Sequence, residues 1–146
     1  MTDRLAAEFP TLAQHVTAFP VRDGEAPWTY EEVAELAIAL LDDRERLASE
    51  LRHADGDLNE LLHNSGFGAG DDSVDSGSSA LEREAELAVV NNVRALLDQT
   101  NYAIGRLKAG TYATCEDTGA PIGKARLQAF PRATQSIEAR EKSARR

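Results

Sequence analysis

From Val33 onward, apolar residues recur in alternating steps of four and three. Positions 33, 37, 40, 44, 47, 51, 54, 58 and 61 read Val, Ala, Leu, Arg, Leu, Leu, Ala, Leu, Leu, and Arg44 is the one polar member. That spacing is a coiled-coil seam held for about four heptads. A helix carrying it from Thr29 to about His63 extends roughly 50 Å at 1.5 Å per residue. A rod of that length cannot cover its own apolar stripe, so it needs a second helix alongside. Its start is marked by three local signals. Thr29 and Glu32 make a capping box, while Trp28 before the cap and Val33 at the fourth helical position suit a hydrophobic staple.

The second helix follows after an interruption. Gly66, Gly68, Gly70 and Gly77 lower helix propensity between Asn64 and Ser78. Ser79 with Glu82 then offers another capping box, and helix is predicted to run on to Ala109, where Gly110 stops it. Its apolar line reads Val89, Val93, Leu96, Ala103 and Leu107, flanked by Val90, Leu97 and Ile104. The predicted fold is therefore mainly α: a long antiparallel helical hairpin over residues 29–109 with a tip loop at 64–78. Residues 1–28 contain Pro10, Pro20 and Pro27; they are read as a short helix near Leu5–Phe9 and an irregular lead-in that packs on the globular end. Residues 110–146 form a small globular module, with a final helix starting at Thr134 or Ser136. Its cohesion is expected from Tyr112, Ile122, Leu127, Phe130 and Ile137.

Charge narrows the function classes. The 146 residues carry a formal charge of −9, yet residues 124–146 hold seven Lys/Arg against Glu138 and Glu141. No Lys or Arg lies between Arg52 and Arg83, a stretch with seven acidic residues. General nucleic-acid binding is excluded for such a surface, because phosphates repel it. One cysteine excludes an intramolecular disulfide framework and fits a reducing compartment. With no leader-like N-terminus and no long apolar run, a cytoplasmic protein without a membrane partner is expected. No nucleophile–base pair, phosphate loop or metal cage points to an enzyme.

The C-terminal module has the spacing of a four-cysteine zinc finger, C-x2-C, 17 residues, C-x2-C, but those positions hold Cys115, Thr118, Ser136 and Ala139. Structural zinc takes four thiolate or imidazole ligands. His15, His53 and His63 lie outside the module. The donor set thus predicts a degenerate finger with no metal and no cofactor, Cys115 being a packed thiol, and Thr118 and Ser136 hydrogen-bonding where sulfurs would meet a metal. A second cluster, Asp71, Asp72 and Asp75, sits just before the second helix. Two carboxylates three apart share one side of a helix start and can converge on a magnesium ion or on basic side chains, or can simply complement the helix N-terminus.

The segments Gly110-Thr-Tyr-Ala-Thr-Cys-Glu-Asp, Pro121-Ile-Gly-Lys-Ala-Arg-Leu-Gln-Ala and Pro131-Arg-Ala-Thr resemble the C-terminal module of the DksA/TraR family, bacterial transcription factors that bind RNA polymerase. Asp72-Ser73-Val74-Asp75-Ser76-Gly77 is similar to that family's Asp-x-x-Asp-x-Ala tip element, Gly77 standing for the alanine. The resemblance covers about residues 29–142. It implies a regulator, linked in this family to the stringent response, whose hairpin enters the polymerase secondary channel. The tip residues Asp72, Asp75, Gly77 and the adjoining Asp71 would then approach the catalytic centre, and no specific DNA bases would be contacted. It also makes guanosine tetraphosphate a candidate partner, although no residues here match a site for it. The alternatives are a Gre-like transcript-cleavage factor and a structural coiled coil that homo-dimerises along its seam.

Overall fold

A computed structural model describes residues 2–66 and 73–145, with the side chains of residues 2, 65, 66 and 73–77 left out. Six helices follow in order: α1 (Thr2–Glu8), α2 (Leu12–Val16), α3 (Tyr30–Gly66), α4 (Ser73–Ala109), α5 (Lys124–Ala129) and α6 (Ile137–Ala144). The two long ones pack as a hairpin. The described residues contain no strand; one isolated antiparallel bridge joins Thr114 and Pro121. No described helix is long and apolar enough to cross a membrane. The chain divides into two compact units, residues 1–43 with 99–146, and residues 44–98.

The first unit holds the main core. The start of α3 follows the capping box: Thr29 N–H donates to Glu32 Oε1 at 2.9 Å and Glu32 N–H to Thr29 Oγ1 at 3.2 Å. Trp28 and Val33, the two staple residues, are both buried. Within the first three turns of α3, Val33, Ala34, Leu36, Ala37, Leu40 and Leu41 are all buried, which is wider than a coiled-coil seam. Burial on several faces is what a helix shows when elements surround it. Here Leu5, Phe9, Leu12, Val16 and Phe19 from the N-terminal segment and Tyr112, Ile122 and Leu127 from the C-terminal module join the same cluster.

Gly110 ends α4 in a Schellman-type turn: its φ is +83°, and Thr111 N–H reaches back to Arg106 O at 3.0 Å. A Cβ on Gly110 would stand 2.5 Å from His15 Nδ1, so the α2 ring packs directly on the turn and leaves room only for hydrogen.

In the second unit burial narrows to a stripe. On α3, Leu47 and Ala54 are buried while Arg44, Leu51, Leu58 and Leu61 are half-buried. On α4 the inward line runs Glu86, Val90, Val93 and Leu97, and in the first unit the same four-and-three stepping continues through Thr100, Ile104 and Leu107. This corrects the predicted line at two places: Val89 is 47% exposed, and Thr100 is fully buried. Expecting only apolar seam residues passed over Thr100, and with it the true register.

The structure also corrects the interruption between the long helices. Helix α3 persists to Gly66 and α4 begins at Ser73, so Ser79 lies inside a helix rather than capping one. Glycine in a helix interior costs only about 1 kcal/mol relative to alanine, and such local preferences yield readily to their context. Two of the five predicted module-core residues are exposed as well. Tyr112, Ile122 and Leu127 are buried, but Phe130 is 61% and Ile137 45% exposed. The Phe130 ring instead carries the Arg126 guanidinium 5.7 Å from its centroid. Helices α2 and α5 add to the elements expected from the sequence.

Candidate functional site

Of the other finger positions, Thr118 and Ser136 hydrogen-bond Cys115. Cys115 is buried and free, lying at the turn where its own N–H bonds Ala120 O at 2.7 Å. Burial alone would push its thiol up, but the Thr118 hydroxyl and the backbone N–H groups of Ser136, Thr118 and Asp117 hydrogen-bond the sulfur and bring it down to about 7 from an ordinary 9.0. Ser136 reaches the sulfur with its backbone while its Oγ accepts the Ala139 N–H at 3.2 Å, acting as the N-cap of α6. Thr118 Oγ1 accepts the Ala120 N–H at 3.3 Å. Thr118 and Ser136 thus make hydrogen bonds at the ligand positions, and Ala139 supplies packing.

Because the folded thiol titrates below its ordinary value, the thiolate contributes stability that is present at high pH and fades as pH falls through about 7. Titration of thiolate absorbance on the folded protein is expected to give a midpoint near 7, and Thr118→Val should raise it toward 9. A midpoint that stays put in Thr118→Val would show that the hydroxyl does not hold the sulfur.

Around this turn the module is tied to α4 and to the N-terminal segment. Arg106, only 7% exposed, donates from Nη2 to Thr111 O at 2.7 Å and to Thr114 O, and from Nη1 to Thr134 O at 3.4 Å. Tyr112 donates its hydroxyl to Pro131 O at 2.7 Å, and burial pushes its pKa up, so it stays a neutral donor. Lys124 Nζ bridges Glu32 (2.9 and 3.1 Å) and Pro27 O (3.1 Å) and lies 5.4 Å from the Trp28 ring centroid. The Lys124 ammonium holds the Glu32 carboxyl below its usual range, aided by the Thr29 N–H. Sequence reasoning missed Arg106 altogether. A basic residue in the last turn of a helix reads as a dipole partner, and nothing local marks it as buried.

At the other end of the hairpin, Asp71 and Asp72 lie outside the described residues. Asp75 and Gly77 fall within α4, their side chains outside the description. The neighbouring described residues of the second unit form an acidic cleft of about 350 Å³ lined by Asp57, Glu60, Leu61, Asn64, Glu82, Ala85 and Glu86. The lining contains no cation, which the Lys/Arg-free stretch between Arg52 and Arg83 foreshadows. Leu62 and Leu81, half and two-thirds exposed, lie in the same unit. An acidic surface of this kind attracts cationic groups and repels phosphates.

Residues 110–145 match the family model of the prokaryotic dksA/traR C4-type zinc finger. The chain is 44% identical over 75 residues to the RNA polymerase-binding transcription factor DksA of Caulobacter vibrioides, an alignment covering 51% of this chain and 53% of that protein. It thus spans about half the length of that relative. It is 32% identical over 111 residues to general stress protein 16O of Bacillus subtilis, covering 76% of this chain and 68% of that one. Among solved structures it resembles transcription factor DksA2 from Pseudomonas aeruginosa, with a TM-score of 0.65 and 30% identity over 79% of this chain and 84% of the other.

The matching family model corrects the expectation of no zinc, since the family that covers this module is a zinc-finger one. The chain itself brings one sulfur to the four positions, and the described residues hold no group of three His, Cys, Asp or Glu arranged for a metal. The donors present do not reproduce a C4 set.

Proposed function

The chain belongs to the DksA/TraR family, and from that premise we propose that it is a transcription regulator, not an enzyme, which binds RNA polymerase and inserts the tip of its hairpin into the secondary channel. Initiation is altered there without contact to specific DNA bases. The observation that carries this reading is the hairpin, whose two helices of 37 residues each lie in a chain whose residues 44–98 hold twelve Asp/Glu against five Arg. Helices of that length are about 55 Å long at 1.5 Å per residue. An acidic hairpin is drawn toward cationic groups and repelled by the phosphates of bound DNA.

The test is retention on immobilised core RNA polymerase, followed by transcription assays on purified promoters. Retention that weakens with salt, together with altered initiation and no footprint on free DNA, is expected. Failure to bind core polymerase at low salt would remove the reading. Stimulated cleavage of backtracked transcripts would instead mark a cleavage factor.

A further inference from the structure

We propose that the lead-in segment, residues 20–28, is a latch that fixes the α5–α6 half of the zinc-finger module, so that the docking of the C-terminal helix is set from the other end of the chain. The segment is preformed. Trp28 Nε1–H closes it by donating to Pro20 O at 3.2 Å. Inside it, Arg22 N–H donates to Glu25 Oε1 at 2.8 Å and Glu25 N–H to Arg22 O at 3.0 Å, with Gly24 at φ +88° supplying the bend. A segment already held in its bound shape loses little entropy on docking.

Two side chains reach out of this loop to the module. Arg22 grips Glu138 with both terminal guanidinium nitrogens, Nη2 to Oε1 at 2.6 Å and Nη1 to Oε2 at 3.3 Å, across 116 residues of chain. Glu138 lies in the first turn of α6, between Ser136 and Ala139. Glu25 Oε2 accepts the Lys124 backbone N–H at 2.9 Å, fixing the first residue of α5. Between these grips the backbone comes close. Gly123 has φ +102°, and a Cβ there would sit 2.7 Å from Arg22 Cδ.

Magnitude decides why this matters for α6 and not for the long helices. An exposed ion pair shifts a local equilibrium by at most about fivefold. Helices α3 and α4 are anchored by a large core, so such a shift disappears against it. Helix α6 has eight residues, too few to persist alone, and Ala139 is its one buried residue. Its attachment therefore leans on polar ties: Ser136 N–H to the Cys115 sulfur, Arg106 Nη1 to Thr134 O, Arg126 Nε to Gln135 O at 2.8 Å, Glu116 N–H to Thr134 O at 2.9 Å, and the Arg22 grip, which reaches a residue of α6 itself. In a helix held this lightly, one bidentate pair is a large share of the whole.

Hydrogen exchange on the intact protein tests this. In Arg22→Ala the α6 amides, Arg140 and Glu141 among them, are expected to exchange about three- to fivefold faster. Amides of α3 and α4 in the first unit should keep their wild-type rates. Glu138→Gln should reproduce the effect, and the exchange of charges in Arg22→Glu with Glu138→Arg should restore protection. Unchanged α6 exchange in Arg22→Ala would overturn the latch. So would an equal acceleration in α3 and α4, which would mark a general loss of stability.

Discussion

Arg106→Met is expected to lower the stability of the first unit by about 1–3 kcal/mol. The methionine stem refills most of the volume, so little cavity forms and the loss is electrostatic. Three carbonyls, of Thr111, Thr114 and Thr134, lose the guanidinium; Thr111 O keeps the Thr114 N–H and Thr134 O the Glu116 N–H, so Thr114 O is the acceptor that depends on Arg106 most. A buried acceptor left without a partner costs about 1–3 kcal/mol. The carbonyls belong to both halves of the finger module, so one guanidinium on α4 joins Thr111–Thr114 to the strand of chain entering α6. Arg106→Lys keeps the charge but gives up the fork, and a point-like ammonium cannot serve three divergent acceptors; it should fall between wild type and Arg106→Met. For a domain of this size each kcal/mol moves the midpoint by about 2–4 °C, so thermal unfolding of Arg106→Met should fall by about 5 °C. A drop under about 1 kcal/mol would mean that water satisfies these carbonyls and that Arg106 is no clasp.

What the sequence made legible was local. The capping box at Thr29 and Glu32 lies within four residues and needs no tertiary information, and its two reciprocal bonds are present. The hairpin follows from the length of one seam. What stayed hidden was decided by distant contacts or by residues that break the binary pattern. Thr100 is polar yet fully buried, and skipping it turned the α4 line outward at Val89. Prolines at 10, 20 and 27 read as an irregular lead-in, whereas Phe9, Leu12, Val16 and Phe19 are core. Their spacing is broken by the change from α1 to α2, so no helical period reveals them. Hydrophobicity alone marks Phe130 as core, but Tyr112, Ile122 and Leu127 are buried in the module interior, and Phe130 stacks with Arg126 at the surface. The zinc-finger spacing was readable, while the family match showed that missing cysteines alone did not license a metal-free expectation.

The proposed role of the tip predicts a separation of function. The double variant Asp72→Asn with Asp75→Asn is expected to bind core RNA polymerase within about twofold of wild type while losing at least tenfold of its effect on initiation. The substitutions are isosteric and remove two charges while leaving the rest of the chain unchanged. A hydrogen bond to a charged group is worth about 1.5–3 kcal/mol, and a factor of ten corresponds to 1.4 kcal/mol, so a single lost charged contact suffices for that loss. Gly77→Ala works in the opposite direction. Position 77 lies within α4, where alanine is favoured over glycine by about 1 kcal/mol. Supplying the family's alanine should stiffen the start of α4 and leave the effect on initiation equal or stronger. Binding measured by polymerase retention and output measured by multi-round transcription give the two readouts separately. Full regulatory output from the double asparagine variant would mean that Asp72 and Asp75 serve only as helix-start acids, and that the hairpin acts through its flanks. Loss of both binding and output would place the two carboxylates in the affinity interface instead of at the catalytic centre.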